Sequence, residues 1–369
     1  VRRGGPPWLP APAWTGEGAW VRDLEPAALP QTRNPARGWI VTANNRQTGA
    51  GYPHFLSRHY DLAYRAARIA ELVQADSPAT VASTSRHQMD IRDGFARRHR
   101  ALAARAAQAL GRADLADRLR AWPGDMRVDA VEPAVFWSWY RELERLIYED
   151  QSPYYRPAWA LDRWMAGEEG GGAGSGDPWI DDVRTPERET LDSLARRAMT
   201  AVIGARAPGP WGRLHRIVMN HPLAGVPVLG RWLGFRVGPL EAPGSNYTVN
   251  NARSPAEGPP FTSEWGPSLR HVVDFGNVDG AGGFILPTGQ SGHPLSRHYR
   301  NQTERWRRGE LWIIPVDVGR VRTVDTLLLV RGGAMSQRGS PPGARRLMGT
   351  KKTPQGFPWG ASLARHRAP

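Results

Sequence analysis

Residues 34–45 have the sequence NPARGWIVTANN and contain the clearest strand pattern near the start of the chain. Residues 39–43 are β-branched, aromatic or small, which is typical of a strand, and Asn44 and Asn45 are typical residues for ending one. An asparagine at a strand end holds a neutral amide donor at a fixed place, where it can stabilise a developing oxyanion. Taken alone, however, the pair is more typical of an ordinary turn.

Helical patterns dominate the residues that follow, from about 60 to 205. Within this region Arg65 and Arg68 are three residues apart and therefore share one helix face. Helices are predicted at residues 61–73, 91–120 with a break at Gly111, 132–149, and from Thr185-Pro186 to about 202. From residue 211 onward the patterns change, predicting strands at 268–275, 284–286 and 324–330 and a helix at 296–308. A helical middle between strand-rich ends predicts the α+β class.

Composition excludes several classes of function. The 369 residues contain no cysteine, which rules out disulfides, thiolate nucleophiles and cysteine-ligated zinc. No apolar run approaches the length of a membrane span, so no membrane partner is predicted.

The net charge of +14 invites a nucleic-acid-binding hypothesis, but its distribution weakens that hypothesis. All but two of the 49 basic residues are arginine, a bias that indicates GC-rich coding. Seven basic and no acidic residues lie in 333–369, a segment without apolar periodicity, and we predict a basic disordered tail there. Residues 1–332 are predicted to form the folded part.

Two isolated motifs have the wrong spacing for catalysis or metal binding. Ser291 lies in Gly-Gln-Ser-Gly-His, which lacks the fifth-position glycine of a nucleophile elbow, and a tight turn is the better interpretation. The pairs His54/His59 and His293/His298 are each five residues apart, whereas one helix face needs three or four.

Seven short motifs occur in one order along the chain. They are Asn-Pro-x-x-Gly with a strand ending in Asn-Asn (34–45), Tyr52-Pro53, Tyr64 to Ile69, Gln88-Met89-Asp90, Trp211 to His215 with His221-Pro222-Leu223, Gly266 to Asp274, and Gly289 to Pro294 with His298-Tyr299. Each motif is weak alone, but in this order they resemble the penicillin acylase (penicillin amidase) family over about residues 7–315.

This resemblance implies the fold of an N-terminal nucleophile hydrolase, an αββα sandwich. We expect a partial sandwich with a helical insertion in the middle. Such enzymes cleave themselves into α and β chains, and the new N-terminal serine of the β chain attacks an amide carbonyl with its own α-amine as base. Implied substrates are N-acylated amides such as penicillins, cephalosporins or acyl-homoserine lactones, and the implied location is periplasmic or secreted.

The resemblance also implies site residues. Asn44 matches the asparagine that donates its side-chain amide to the oxyanion. The arginine that orients this asparagine matches Arg68, with Arg65 as the second choice. No cofactor is required, but family members bind a structural calcium ion, for which Pro7 would supply a backbone carbonyl. The aspartate ligand expected after Tyr52-Pro53 is missing, so this chain alone is not expected to hold calcium.

The main departure concerns the nucleophile. In the family the catalytic serine lies far upstream of the strand-end asparagine, whereas only 43 residues precede Asn44 and the first of them is Val1. We therefore expect the C-terminal part of a β chain, whose partners are an α chain, the N-terminal part of the β chain and a small acyl-amide substrate. The alternatives are an inactive fragment and, less favoured, a basic nucleic-acid-binding protein.

Overall fold

A computed structural model of the chain describes residues 3–4, 9–150, 152, 155–167, 179–182, 184–204, 208–253, 255 and 258–322, without the side chains of 229 and 231. The chain divides into two units, Val1–Arg320 and Val321–Pro369. The predictions for Pro7, for a strand at 324–330, for the boundary at 332 and for the tail lie outside the described residues. Among the described helices, none combines the length and the apolar character that a membrane span requires.

Helices make up most of the regular structure in the described residues. They are α1 (Tyr64–Ala75), α2 (Val81–His87), α3 (Gly94–Ala109), α4 (Ala113–Ala121), α5 (Glu132–Tyr148), α6 (Ala158–Ala166), α7 (Leu191–Gly204), α8 (Trp211–Leu214), α9 (Leu229–Trp232) and α10 (Thr303–Arg308). The helices predicted near 61–73, 91–120 and 132–149 are confirmed, and Gly111 has a left-handed φ of 73° at the predicted break.

The strands form two small sheets. They are β1 (His215–Asn220), β2 (Arg236–Glu241), β3 (Phe261–Ser263), β4 (Arg270–Val272) and β5 (Gly283–Ile285). In the first sheet β1 lies between antiparallel β2 and parallel β3, and in the second β4 pairs with β5 in an antiparallel hairpin. The mixed helical and strand content is confirmed. The four-layered sandwich is not formed by the described residues and stays a prediction for the complete protein.

The main core lies between α3, α5 and α7. The alanine-rich face of α3 lets these helices approach closely, and large aromatic side chains fill the space between them. Phe95 lies at the centre, with its ring against those of Trp137, Tyr140 and Tyr247. A smaller cluster that includes Ile217, Ile285 and Trp306 packs where the two sheets approach α10.

Asp93 joins the helical region to the loop that follows β2. Its Oδ1 accepts a hydrogen bond from Ala96 N at 2.8 Å, which caps α3, and its Oδ2 accepts one from Ser245 Oγ at 2.6 Å. Burial raises the pKa of the Asp93 carboxyl to about 6, although these hydrogen bonds oppose the shift.

Three sequence predictions need correction. Residues 39–43 form no strand, because no described segment pairs with them and Ala43 N instead donates to Asn45 Oδ1 at 3.1 Å. The helix predicted from Thr185 begins at Leu191, where Thr190 and Ser193 cap each other, while Thr185 closes a turn onto Asp182 O.

The helix predicted over residues 296–308 is shorter than expected and spans only α10. The preceding residues form turns, closed by hydrogen bonds from Ser296 N to His293 O and from Tyr299 N to Ser296 O. The predicted turn around Ser291 is confirmed, because Ser291 Oγ accepts from His293 N at 3.1 Å.

Asp93→Asn is expected to flatten the pH dependence of stability. An unfolded aspartate, with a pKa of 3.8, releases its proton as pH rises from about 4 to 6, while the buried carboxyl keeps its proton up to about pH 6. The folded state then binds more protons, so the free energy of unfolding falls over this window by about 1 kcal/mol per pH unit. Urea unfolding of the full chain at pH 4, 5, 6 and 7 measures this slope.

The matched control for this measurement is Asp117→Asn, on the exposed face of α4, which should keep the wild-type pH dependence. The interpretation is wrong if the stability difference between wild type and Asp93→Asn is the same at every pH.

Candidate functional site

The site is built around the exposed side chain of Asn44, in the segment that precedes α1. The backbone of Asn44 is left-handed, with φ of 61°, a conformation that asparagine tolerates better than most residues. Asp61 N donates to Asn44 O at 3.0 Å, which holds the loop against the residues that lead into α1. The position therefore favours asparagine for its backbone conformation as well as for its amide.

Arg65 fixes the direction of the Asn44 carboxamide. Its Nη2 lies 2.9 Å from Asn44 Oδ1, 3.0 Å from Ala43 O and 2.5 Å from Asp61 Oδ2. A guanidinium group has donors and no acceptor, so it can receive only the oxygen of the amide. The NH₂ group must therefore point away from Arg65, and it makes no hydrogen bond within the described residues. The arrangement leaves one exposed, neutral, oriented donor.

Arg68 does not contact Asn44. Its Nε and Nη2 donate to the two oxygens of Asp90 at 3.1 and 2.7 Å, and its Nη1 donates to Glu71 at 2.9 Å. All three nitrogens of this guanidinium have carboxylate partners, and its side chain is only 18% exposed. The contact with Asn44 that was predicted first for Arg68 is thus made by the second choice, Arg65, and a role for Arg68 in orienting Asn44 stays a prediction.

A buried network anchors the start of α1, from which Arg65 extends. Tyr64 OH donates to Asp162 Oδ1 at 2.5 Å, and His99 Nε2 lies 2.6 Å from the same oxygen. Burial raises the pKa of Tyr64, and the bond to Asp162 adds to this, so Tyr64 remains a neutral donor. Burial opposes ionisation of Asp162, but the hydrogen bonds from His99 and Tyr64 lower its pKa overall. The network ties α1 to α3 and α6.

Sequence reasoning assigned no role in the site to Asp61, Tyr64, His99 or Asp162. Asp61 and Arg65 have the i, i+4 spacing of a helix ion pair, which is a usable local signal. The Tyr64–Asp162 contact joins residues 98 positions apart, and no local sequence pattern predicts it.

Several other motif residues connect separate parts of the fold. Gln88 Nε2 donates to His271 O of β4 at 3.0 Å, and Asp90 O accepts from Asn250 N at 2.8 Å. His215 is buried, stacks on Trp211 and donates through Nδ1 to Ala242 O at 2.8 Å; burial lowers its pKa to about 4. These residues hold loops and strands together and do not line the surface around Asn44.

The described residues do not fit a metal site. They contain no group of three or more His, Cys, Asp or Glu side chains placed to hold an ion. Pro7 lies outside the described residues, and His54 to Ser57, where a carboxylate would be needed, supply none. Calcium binding stays a prediction for the complete protein, and the chemistry below uses no metal.

Arg65→Gln and Arg68→Gln are expected to have different effects. Loss of Arg65 should free the Asn44 carboxamide, whose side-chain NH₂ resonances in a ¹⁵N-edited NMR spectrum of the full chain should shift and narrow. Loss of Arg68 should leave these resonances in place but lower the free energy of unfolding by roughly 2 kcal/mol, because the part-buried Asp90 loses a charge-assisted pair.

An Asn44→Gln spectrum assigns the resonances in this comparison. If Arg68→Gln moves the Asn44 signals and Arg65→Gln does not, the assignment of the orienting contact to Arg65 is refuted.

Comparisons with known proteins agree with the motifs. The sequence profile of the family described as penicillin amidase matches residues 1–323. The acyl-homoserine lactone acylase QuiP of Pseudomonas fluorescens is 30% identical over 351 residues, which cover 85% of this chain and 41% of that protein. The penicillin acylase 2 proenzyme of Pseudomonas sp. is 29% identical over 314 residues, covering 81% and 39%.

Among solved structures, the thermostable penicillin G acylase from Alcaligenes faecalis in its orthorhombic form aligns with a TM-score of 0.49 and 16% identity, covering 86% of this chain and 62% of that one. The chain spans about two fifths of the length of the curated relatives that it matches.

Proposed function

Because the chain belongs to the penicillin amidase family of N-terminal nucleophile hydrolases, we propose that the complete protein hydrolyses a linear amide bond of an N-acylated substrate. In this proposal the nucleophile is an N-terminal serine supplied by a part of the protein outside these 369 residues. The chain itself supplies the oxyanion donor, Asn44. The observation that carries the proposal is the contact of Arg65 with Asn44 Oδ1, which turns the amide NH₂ outward.

The proposed reaction proceeds through an acyl-enzyme. The serine hydroxyl attacks the amide carbonyl while the α-amine of the same serine takes up its proton. The carbonyl oxygen becomes negative in the tetrahedral intermediate, and the Asn44 amide donates a hydrogen bond to it. The amine leaves with the proton, and water then releases the acid by the same steps.

Arg65 supports this step through Asn44. The guanidinium polarises the carboxamide through Oδ1, which strengthens the NH₂ as a donor, and it fixes the donor before any charge develops. Because the donor is neutral, it can approach the substrate carbonyl with little desolvation cost and gains most when that oxygen becomes an anion.

Penicillins and acyl-homoserine lactones are candidate substrates, since relatives named for each of them match. The 369-residue chain by itself is expected to release no acid from any of them, because this proposal places the attacking serine outside it.

Asn44→Ala in the complete protein is expected to raise the barrier for hydrolysis by about 3 kcal/mol, which is a loss of roughly 10² to 10³ in kcat, because the oxyanion loses one oriented donor. KM should change little, since the bond forms fully only in the transition state. Steady-state release of free amine from penicillin G and from an acyl-homoserine lactone measures both constants.

Asn44→Gly separates the amide from the backbone requirement, because glycine adopts the left-handed φ without strain. It should lose as much kcat as Asn44→Ala while keeping the wild-type melting temperature. Gln108→Ala, which removes an exposed amide from α3, is the matched control and should keep wild-type rates. A near-native kcat in Asn44→Gly would show that Asn44 serves only the backbone conformation.

A further inference from the structure

A cavity of about 640 Å³ lies where the two sheets approach α10. Its lining includes Ile217 of β1, Glu241 of β2, Arg270 of β4 and Trp306 of α10. A volume of this size is typical of sites that bind small molecules. Further apolar lining comes from Ile91, Val128, Ala242, Pro243, Ala252 and Pro267.

Arg270 is a buried cation in this lining, with only 3% of its surface exposed. Its Nη1 donates to Trp306 O at 2.5 Å, its Nη2 donates to Asn250 Oδ1 at 2.8 Å, and its guanidinium lies over the Trp306 ring at 4.5 Å. All these partners are neutral, and no carboxylate of the described residues pairs with Arg270, so burial lowers its pKa to about 10. A buried charge without an opposite charge is unfavourable, and the position therefore favours an anion.

Arg270 and Asn250 also retain unused hydrogen-bond donors. A guanidinium group has five N–H donors, and Arg270 Nε has no partner among the described residues. Because Asn250 Oδ1 accepts from Arg270, the Asn250 NH₂ must point away from that side chain, and it makes no hydrogen bond to any described residue. Buried donors in proteins normally have a partner, so two neighbouring residues of one cavity lack acceptors.

The other charges of the lining leave Arg270 as the buried charge without an opposite partner. Glu241 is exposed and has no ion pair within the part of the chain that the structure describes, so it would repel an anion that enters the cavity. The remaining charged lining residues are in ion pairs, Arg127 with Asp129 at 2.6 Å, Arg307 with Glu304 at 3.2 Å and Arg308 with Glu310 at 3.5 Å.

We propose that this cavity binds a small organic acid, with its carboxylate on Arg270 and on the NH₂ group of Asn250 and its hydrocarbon part against the apolar lining. The planar guanidinium group matches the geometry of a carboxylate, and the hydrogen bonds between them are strengthened by charge. The apolar lining favours an acid with a hydrocarbon part over an inorganic anion, because burial of the hydrocarbon part is favourable. The inference does not depend on the proposed hydrolysis, whose oxyanion donor and orienting arginine do not line this cavity.

Titration with 3-phenylpropionate and with 3-phenylpropanamide compares two probes of similar shape, of which only the first is charged. Calorimetry of the full 369-residue chain should show that the acid binds at least about 10-fold more tightly than the amide. The indole N–H of Trp306 donates to Pro267 O at 3.0 Å, and both residues line the cavity, so its ¹⁵N NMR resonance should shift when the acid binds. Equal binding of the two probes, or binding that leaves this resonance in place, would overturn the inference.

Two variants test the role of charge. Arg270→Gln should remove the preference for the acid, but a change at a buried residue can disturb folding, so an exposed change accompanies it. Glu241→Gln removes a negative charge from the lining and should tighten binding of the acid about 2- to 3-fold while leaving that of the amide unchanged. Glu25→Gln, an exposed glutamate outside the lining, is the matched control and should change neither affinity. If Glu241→Gln binds the acid no more tightly than wild type, the inference is contradicted.

The same titration in the complete protein tests whether the cavity stays accessible there. The proposed occupant is a free acid, so the complete protein should show the same preference for the acid over the amide. If the acid binds the 369-residue chain but not the complete protein, another part of the protein covers the cavity, and the inference is wrong.

Discussion

The guanidinium of Arg65 can only donate hydrogen bonds, and this single property fixes the direction of the Asn44 side chain. An unconstrained carboxamide would exchange its oxygen and nitrogen by rotation at little cost. With Arg65 Nη2 at 2.9 Å from Oδ1, the reversed orientation would bring two donors together. The NH₂ group is therefore presented outward, on a left-handed residue that asparagine accepts readily. The donor proposed for the oxyanion depends on this contact more than on any feature of Asn44 itself.

The position of Arg65 in turn depends on packing some distance from the surface. Helix α1 has no side-chain cap at its start, so its first turn must be held by other contacts. Tyr64 provides them, with its ring on Phe95 and Tyr247 and its hydroxyl on Asp162. Farther along α1, the bidentate pair of Arg68 with Asp90 joins the helix to a loop whose backbone holds Asn250. The two arginines on one helix face thus have different roles. Arg68 fixes the position of helix α1, and Arg65 fixes the orientation of the Asn44 carboxamide.

Structural features that depend on residues close together in the sequence could be predicted from it. The break at Gly111 and the helices α3 to α5 follow from apolar periodicity and glycine, and the ordered motifs were enough to identify the family. The prediction of a strand at 39–43 was wrong. Strand composition gives only a tendency to form a strand, and a strand forms only against a partner, which the described residues do not provide. The choice between Arg65 and Arg68 could not be made from spacing, since both lie on one face. The choice depends on where Asp90 lies, because the contact between Arg68 and Asp90 joins residues that are 22 positions apart.

The ion pair between Arg65 and Asp61 links the orientation of the amide to a carboxylate on the neighbouring surface. Without Arg65, the Asp61 carboxylate would be an uncompensated negative charge close to Asn44. With Arg65 bound to both Asp61 and Asn44, that charge is neutralised at the same nitrogen that aligns the oxyanion donor. A substitution at Arg65 therefore removes the partner of the amide oxygen and leaves the Asp61 carboxylate without its ion pair at the same time.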